Sequence, residues 1–122
     1  MPTRPRRILC VDDNPQLLSI IKSGLEPWGF EVVTAGHGME ALGLFKKHKG
    51  EFVAILTNHQ MPQMDGAELI QLIRSSGFSG KVIVMSSSFT NPLKAFYRSV
   101  GVQDFLTKPF GLSPFGALLS KG

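Results

Sequence analysis

Five polar residues stand at or near the ends of four short apolar runs, where their side chains could contribute to one site. In chain order they are Asp12, Asp13, Asn58, Ser86 and Lys108. Two carboxylates, an amide, a hydroxyl and an ammonium group could together bind a charged ligand. Taken singly, an Asp-Asp pair after a strand is more often a turn or a helix cap, and a lone lysine is usually solvated. The interpretation therefore depends on whether the fold brings the five together.

The apolar runs themselves predict strands. The five segments are Ile8–Val11, Glu31–Val33, Phe52–Leu56, Val82–Met85 and Phe105–Leu106. The runs 53–56 and 82–85 are continuously apolar, without polar alternation, which is typical of parallel strands covered on both faces. Such strands need helices on either side of the sheet.

Helical patterns lie between and after these strands. Helices are predicted to begin at Asn14-Pro15, before Met39, at Asp65, at Asn91-Pro92 and, for a short fifth helix, at Ser113-Pro114. Asn14 and Asp65 are good capping residues, and Glu68 completes the spacing of a capping box. The first helix is predicted to carry an apolar face that extends to Trp28 and to end at Gly29. Alternating strands and helices predict a doubly wound α/β domain, whose ligands bind at the carboxyl ends of the strands.

The segment 58–66, Asn-His-Gln-Met-Pro-Gln-Met-Asp-Gly, carries the strongest signal. Together with Asp12-Asp13, Ser86 and Lys108-Pro109-Phe110 at their spacing, it resembles the receiver domain of bacterial two-component response regulators, the chemotaxis-receiver-like family. The resemblance covers almost the whole chain. It implies a flavodoxin-like, five-stranded parallel sheet of order 2-1-3-4-5 with helices on both faces.

The resemblance also assigns chemistry to these positions. The residue four before the proline of Met61-Pro62 is the phosphoacceptor aspartate of the family, and here it is Asn58. An acyl phosphate needs a carboxylate oxygen as nucleophile, and an amide oxygen is a poor substitute. The hydroxyl that bonds the phosphoryl group would be Ser86, the phosphate-pairing lysine Lys108, and the aromatic switch residue Phe105. We therefore expect a degenerate receiver, a non-catalytic signalling module that acts through protein–protein interaction.

A magnesium site is implied by the same resemblance. Its ligands would be Asp12, Asp13, the side chain of Asn58 and the backbone carbonyl of Gln60. Magnesium prefers such hard oxygen ligands and keeps several waters. Loss of one unit charge at ~4 Å removes at most ~4 kcal/mol at the effective dielectric of a surface site, so we expect weakened binding.

Four expectations concern the local structure of the site. Without the acceptor charge, Lys108 is expected to pair with Asp12 or Asp13 instead, and we expect Asp13 to lie within ion-pair reach of it. Phe105 is expected to sit outward, since no phosphoryl group draws Ser86 inward. The family also implies a cis Lys108-Pro109 peptide, and His59 is expected to be an exposed loop residue beside the site.

Two alternatives remain. The chain could be an ordinary phosphorylatable receiver whose acceptor aspartate has been substituted or is regenerated by deamidation. An unrelated enzyme on the same fold is the other alternative. Against it, a flavodoxin would need a hydroxyl- and glycine-rich loop after the first strand. A dehalogenase-type phosphatase would need an aspartate where Asn14 stands.

Composition limits the remaining possibilities. The 122 residues fit a single domain, 1–122, with a basic tail at 1–5. One cysteine, Cys10, excludes an internal disulfide, and no apolar run approaches the ~20 residues of a membrane span or the core of a signal peptide. These features favour a cytoplasmic protein.

The net charge is +4, but the arginines before residue 8 are not interleaved with aromatic or glycine residues, so nucleic-acid binding is not expected. The expected partners are a sensor kinase or other signalling protein, or a second copy of the chain.

Overall fold

A sheet of five parallel strands organises the part of the chain that the computed structural model describes, residues 6–48 and 51–111. The strands are β1 Arg6–Val11, β2 Phe30–Ala35, β3 Phe52–Asn58, β4 Lys81–Ser86 and β5 Asp104–Thr107. Their order is β2-β1-β3-β4-β5, with every neighbouring pair parallel. The predicted doubly wound, flavodoxin-like sheet is confirmed.

Four α-helices lie within the described residues. They are α1 Pro15–Leu25, α2 Gly38–His48, α3 Gly66–Ser75 and α4 Asn91–Ser99. The Asn14 side chain accepts hydrogen bonds from the backbone N–H groups of Gln16 and Leu17, and Asp65 accepts one from Glu68, so both predicted caps are confirmed. The cap of α4 is Thr90, one residue before the predicted start.

Alternating side chains of the central strands pack into two layers. In β1, Leu9 and Val11 join the core beneath α2, α3 and α4, whereas Ile8 and Cys10 join the core beneath α1. The same period of two recurs in β4. Both faces of the sheet are therefore covered, as the continuously apolar strands predicted.

Trp28 departs from the expected packing. It lies in a 3-10 turn, Glu26–Trp28, and its side chain is 70% exposed. Pro27 lacks an N–H group and cannot continue the helix, so α1 ends at Leu25 before it can carry Trp28 onto the core. The predicted fifth helix and the tail 1–5 lie outside the described residues. None of the helices in the described part of the chain has the length and apolar character needed to cross a membrane.

Candidate functional site at the carboxyl edge of the sheet

Strand register brings the predicted site residues to one edge. Asn58 ends β3 and lies beside Met85 of β4, and Ser86 ends β4 beside Thr107 of β5. Lys108 follows directly, and its backbone N–H donates to the carbonyl of Ser86 at 2.8 Å. The Lys108-Pro109 peptide is cis, as predicted.

Asp12 and Lys108 form the central ion pair of this edge. Asp12 is completely buried, and its Oδ2 lies 2.7 Å from Lys108 Nζ. Its other oxygen, Oδ1, accepts a hydrogen bond from the backbone N–H of Asn14 at 2.9 Å. Of the two carboxylates expected to be available to Lys108, Asp12 is its partner, and the expectation that Asp13 would lie within ion-pair reach is wrong. Asp12 takes the inward position at the end of β1, and Asp13 is exposed. An unpaired carboxylate costs more free energy when it is buried than when it is solvated, so Lys108 pairs with Asp12.

Asn58 is engaged with its own loop. It is 6% exposed, and its Nδ2 donates a hydrogen bond to the backbone carbonyl of Gln60 at 2.6 Å. The donor must be the amide nitrogen, because the oxygen of the side chain would repel that carbonyl. The Gln60 carbonyl is the backbone oxygen that the family resemblance assigned to magnesium. The asparagine thus bonds to one of the expected metal ligands, which an ionised aspartate could not do.

Ser86 and Phe105 are also placed by local contacts. The Ser86 hydroxyl is 1% exposed and donates to the carbonyl of Ser88 at 2.7 Å. Phe105 is half-buried rather than fully outward. Its ring packs edge-on against Phe89 at 5.2 Å and Tyr97 at 6.2 Å between ring centroids, beneath the cations of Lys94 and Arg98.

Two residues beside the site were missed or misjudged from the sequence. Tyr97, in the last turn of α4, is completely buried, and its hydroxyl lies 2.7 Å from Nδ1 of His59. His59 is consequently half-buried rather than an exposed loop residue. A tyrosine on the apolar face of a helix usually needs a hydrogen-bond partner when buried, and that was the available signal.

Electrostatics near the site keep its buried thiol and phenol neutral. Burial, with a smaller contribution from the Asp12 charge and an opposing one from Lys108, raises the pKa of Cys10 to about 12. Burial and the charge of Asp65 raise the pKa of Tyr97 above its usual range. Cys10 is therefore a packed core residue without thiolate reactivity at physiological pH.

Sequence comparisons identify relatives across almost the whole chain. The profile of the response regulator receiver domain matches residues 8–119. Hybrid signal transduction histidine kinase F of Dictyostelium discoideum is 34% identical over 125 aligned positions, which cover 98% of this chain and 11% of that protein. Transcriptional regulatory protein KdpE of Mycobacterium tuberculosis is 31% identical over 112 positions, covering 92% of this chain and 48% of that protein. The chain thus spans half or less of the length of these relatives.

Solved structures agree with this assignment. A response regulator receiver protein from Pseudomonas putida superposes with a TM-score of 0.89 at 27% identity, covering 99% of this chain and 100% of that one. Chemotaxis protein CheY4 of Vibrio cholerae gives a TM-score of 0.87 at 26% identity, covering 97% and 98% of the two chains. With a profile match over most of its length and the observed strand order, this chain belongs to the response regulator receiver domain family.

Proposed function

We propose that this chain is a degenerate receiver, which is not phosphorylated at position 58 and signals through protein–protein contacts. The observation that carries the proposal is the state of Asn58: an amide at the acceptor position, buried, with its nitrogen bonded to the Gln60 carbonyl. Phosphoryl transfer to this position would need an oxygen nucleophile with carboxylate character. The amide of Asn58 lacks it and is committed to a hydrogen bond within the loop.

The ion pair supports the same proposal. In a receiver with a carboxylate at the acceptor position, Lys108 would be expected to pair with that carboxylate and then with the phosphoryl oxygens. Here Lys108 Nζ is bonded to Asp12 at 2.7 Å. Pulling the lysine away would leave a completely buried carboxylate without its cation, and breaking such a pair costs ~3–5 kcal/mol. Lys108 is partly exposed, so the lower end of that range applies.

Magnesium binding is proposed to be weakened rather than absent. The donor types fit the ion, since Asp12, Asp13, the Asn58 amide oxygen and the Gln60 carbonyl are all hard oxygen donors. When bound, the ion would neutralise the carboxylates and any phosphoryl oxygens beside them. Two of these groups already accept hydrogen bonds: the Asp12 carboxylate accepts one from Lys108, and the Gln60 carbonyl accepts one from Asn58. Each contact would have to yield before its oxygen could coordinate the ion.

The partner is proposed to be a sensor kinase, another signalling protein or a second copy of this chain. Receiver domains are mainly signalling modules that interact with sensor histidine kinases and other signalling proteins. The relatives matched here include a hybrid histidine kinase and several transcriptional regulators, which are much longer than this chain. The proposed role is consistent with either setting.

Incubation with acetyl phosphate and magnesium, followed by intact-mass measurement, tests the proposal. The unaltered chain should keep its mass, whereas Asn58→Asp should gain a phosphoryl group. Phosphorylation of the unaltered chain would overturn the proposal. Peptide mapping would then examine Thr57, which precedes Asn58 in β3, and Ser86, which ends β4.

The second candidate is an ordinary receiver whose acceptor aspartate was substituted or returns by deamidation. Deamidation requires the backbone nitrogen of His59 to attack the side-chain carbonyl carbon of Asn58. That nitrogen donates to the carbonyl of Met85 at 2.8 Å, and Asn58 is buried. These contacts argue for slow deamidation in the folded state. Peptide mapping after prolonged incubation should recover Asn58 intact, and rapid conversion to aspartate would favour this candidate instead.

A further inference from the structure

The loop after β3 is joined to α4 by a side-chain contact. Tyr97 is the one fully buried residue of α4, all of whose residues the structure describes. From there its hydroxyl reaches His59 Nδ1 at 2.7 Å, and the two rings stand nearly perpendicular with centroids 5.6 Å apart. His59 is the residue immediately after Asn58. A residue of the helix is therefore bonded directly to the acceptor loop.

The loop is shaped to admit the tyrosine hydroxyl. A Cβ atom at Gly66 would lie 2.7 Å from Tyr97 Oη and 2.6 Å from the carbonyl oxygen of Asn58. Real Cβ atoms do not approach other atoms that closely, so this packing requires glycine at position 66. The Gly66 N–H also donates to the carbonyl of His59 at 2.8 Å. The backbone thus closes tightly around the contact between Tyr97 and His59.

The far side of Tyr97 contacts the residue that matches the family's switch. Its ring packs edge-on against Phe105 of β5, with centroids 6.2 Å apart. Phe105 has no polar tip with which to bond the loop, whereas Tyr97 has one. A single side chain therefore contacts His59 in the loop, Phe105 in β5 and, through its own backbone, α4.

We propose that Tyr97 is a positioning residue that couples the acceptor loop to α4 and β5 through its hydrogen bond to His59, without a phosphoryl group. A displacement of the loop, by a docking partner or a change at Asn58 or Gln60, shifts His59 and is passed to the helix through this bond. The inference rests on the proposed phosphorylation-independent role. The coupling through Tyr97 does not use Ser86, because the Ser86 hydroxyl donates to the carbonyl of Ser88 within its own turn.

The bond can be removed without emptying the space it occupies. Tyr97→Phe deletes the hydroxyl and keeps the ring. Phe89→Leu is the matched control, because Phe89 also packs on Phe105 but carries no hydroxyl that could bond His59. Native-state hydrogen exchange of α4 amides should accelerate about fivefold in Tyr97→Phe, as expected for one lost hydrogen bond. His59→Ala should have the same effect, and the double variant should add little to either.

Transmission is measured by disturbing the loop at its acceptor position. Asn58→Asp removes the donor to Gln60, and in the presence of Tyr97 it should shift the amide signals of α4 and of Phe105 in NMR spectra. In the Tyr97→Phe background these distant shifts should fall sharply, while those at His59 and Gln60 persist. In the Phe89→Leu background they should remain.

Two outcomes would overturn the coupling. One is distant shifts of equal size with and without the Tyr97 hydroxyl, and the other is no distant shift in either background. These measurements contain no phosphoryl donor, so they succeed or fail separately from the acetyl phosphate experiment. A gain of phosphoryl mass by the unaltered chain would overturn the proposed function while leaving the coupling result intact.

Discussion

Restoring the acceptor carboxylate should destabilise the metal-free protein. In Asn58→Asp, a carboxylate oxygen replaces the amide nitrogen that now donates to the Gln60 carbonyl at 2.6 Å. The lost bond, with its acceptor left unsatisfied, costs ~1–3 kcal/mol. Strand register also places the new charge beside Asp12, because Val11 pairs with Thr57. Two like unit charges ~4 Å apart repel by at most ~4 kcal/mol at an effective dielectric of ~20, and Lys108, which is bonded to Asp12, offsets part of this repulsion. The expected net loss in the free energy of unfolding is ~1–3 kcal/mol.

Magnesium and acid should each reverse this loss. An ion present at 100 times its dissociation constant stabilises the folded state by ~2.7 kcal/mol, and the variant should gain this while the parent gains much less. Burial and the Asp12 charge should raise the pKa of the introduced carboxyl in the folded state. A raised carboxyl pKa means that the penalty is absent at low pH and appears as the pH rises through the folded-state value.

Urea unfolding in EDTA and in magnesium, at acidic and neutral pH, measures these effects. Asn58→Ala is the matched control, because it removes the same hydrogen bond without adding charge. Its stability should respond to neither magnesium nor pH in the way the aspartate does. The reasoning would be refuted if Asn58→Asp were as stable as the parent in EDTA, or if magnesium stabilised both equally.

Three further substitutions test contacts at the site and at the opposite edge of the sheet. Lys108→Met leaves Asp12 buried without its cation and should cost ~3 kcal/mol in urea unfolding; an unchanged midpoint would show that the pair is not needed. Arg74→Met removes a guanidinium that donates to four backbone carbonyls, two just before β4 and two just after α4, and should cost ~2–4 kcal/mol in the same assay. Gly66→Ala should lower the free energy of unfolding by ~1–3 kcal/mol, because the added Cβ would clash with backbone; an unchanged value would mean that the loop can move to accommodate it.

The sequence was sufficient for the sheet because its apolar runs are continuous and its helices carry strong caps. Asn14 and Asp65 cap helices as their side chains predict. The strands extend further than the apolar runs, with Thr57 and Asn58 included in β3, because polar residues at a strand end still take part in the ladder. Element boundaries therefore depend on backbone pairing with a neighbouring strand, which the local pattern does not contain.

Side-chain pairing within the site was less predictable than the site's location. Parallel strands bring Asp12, Asp13 and Lys108 to one edge whatever the rotamers are. Which carboxylate meets the lysine depends on which of two consecutive residues faces inward as β1 ends, and Asp12 does. The bond between Tyr97 and His59 could not be predicted from the sequence for a similar reason. It joins residues 38 positions apart, and tertiary packing sets the relative position of the elements that carry them.

The buried polar groups of this edge are satisfied within the protein. Asp12 is bonded to Lys108 and to the Asn14 N–H, Asn58 to Gln60, and Ser86 to Ser88. The charge of the buried Asp12 carboxylate is therefore balanced by that of Lys108. A carboxylate at position 58 would supply an oxygen nucleophile and would also add a negative charge that no second cation balances in this pair. Phosphorylation of Asn58→Asp and its loss of metal-free stability should consequently appear together, because both arise from a single added charge.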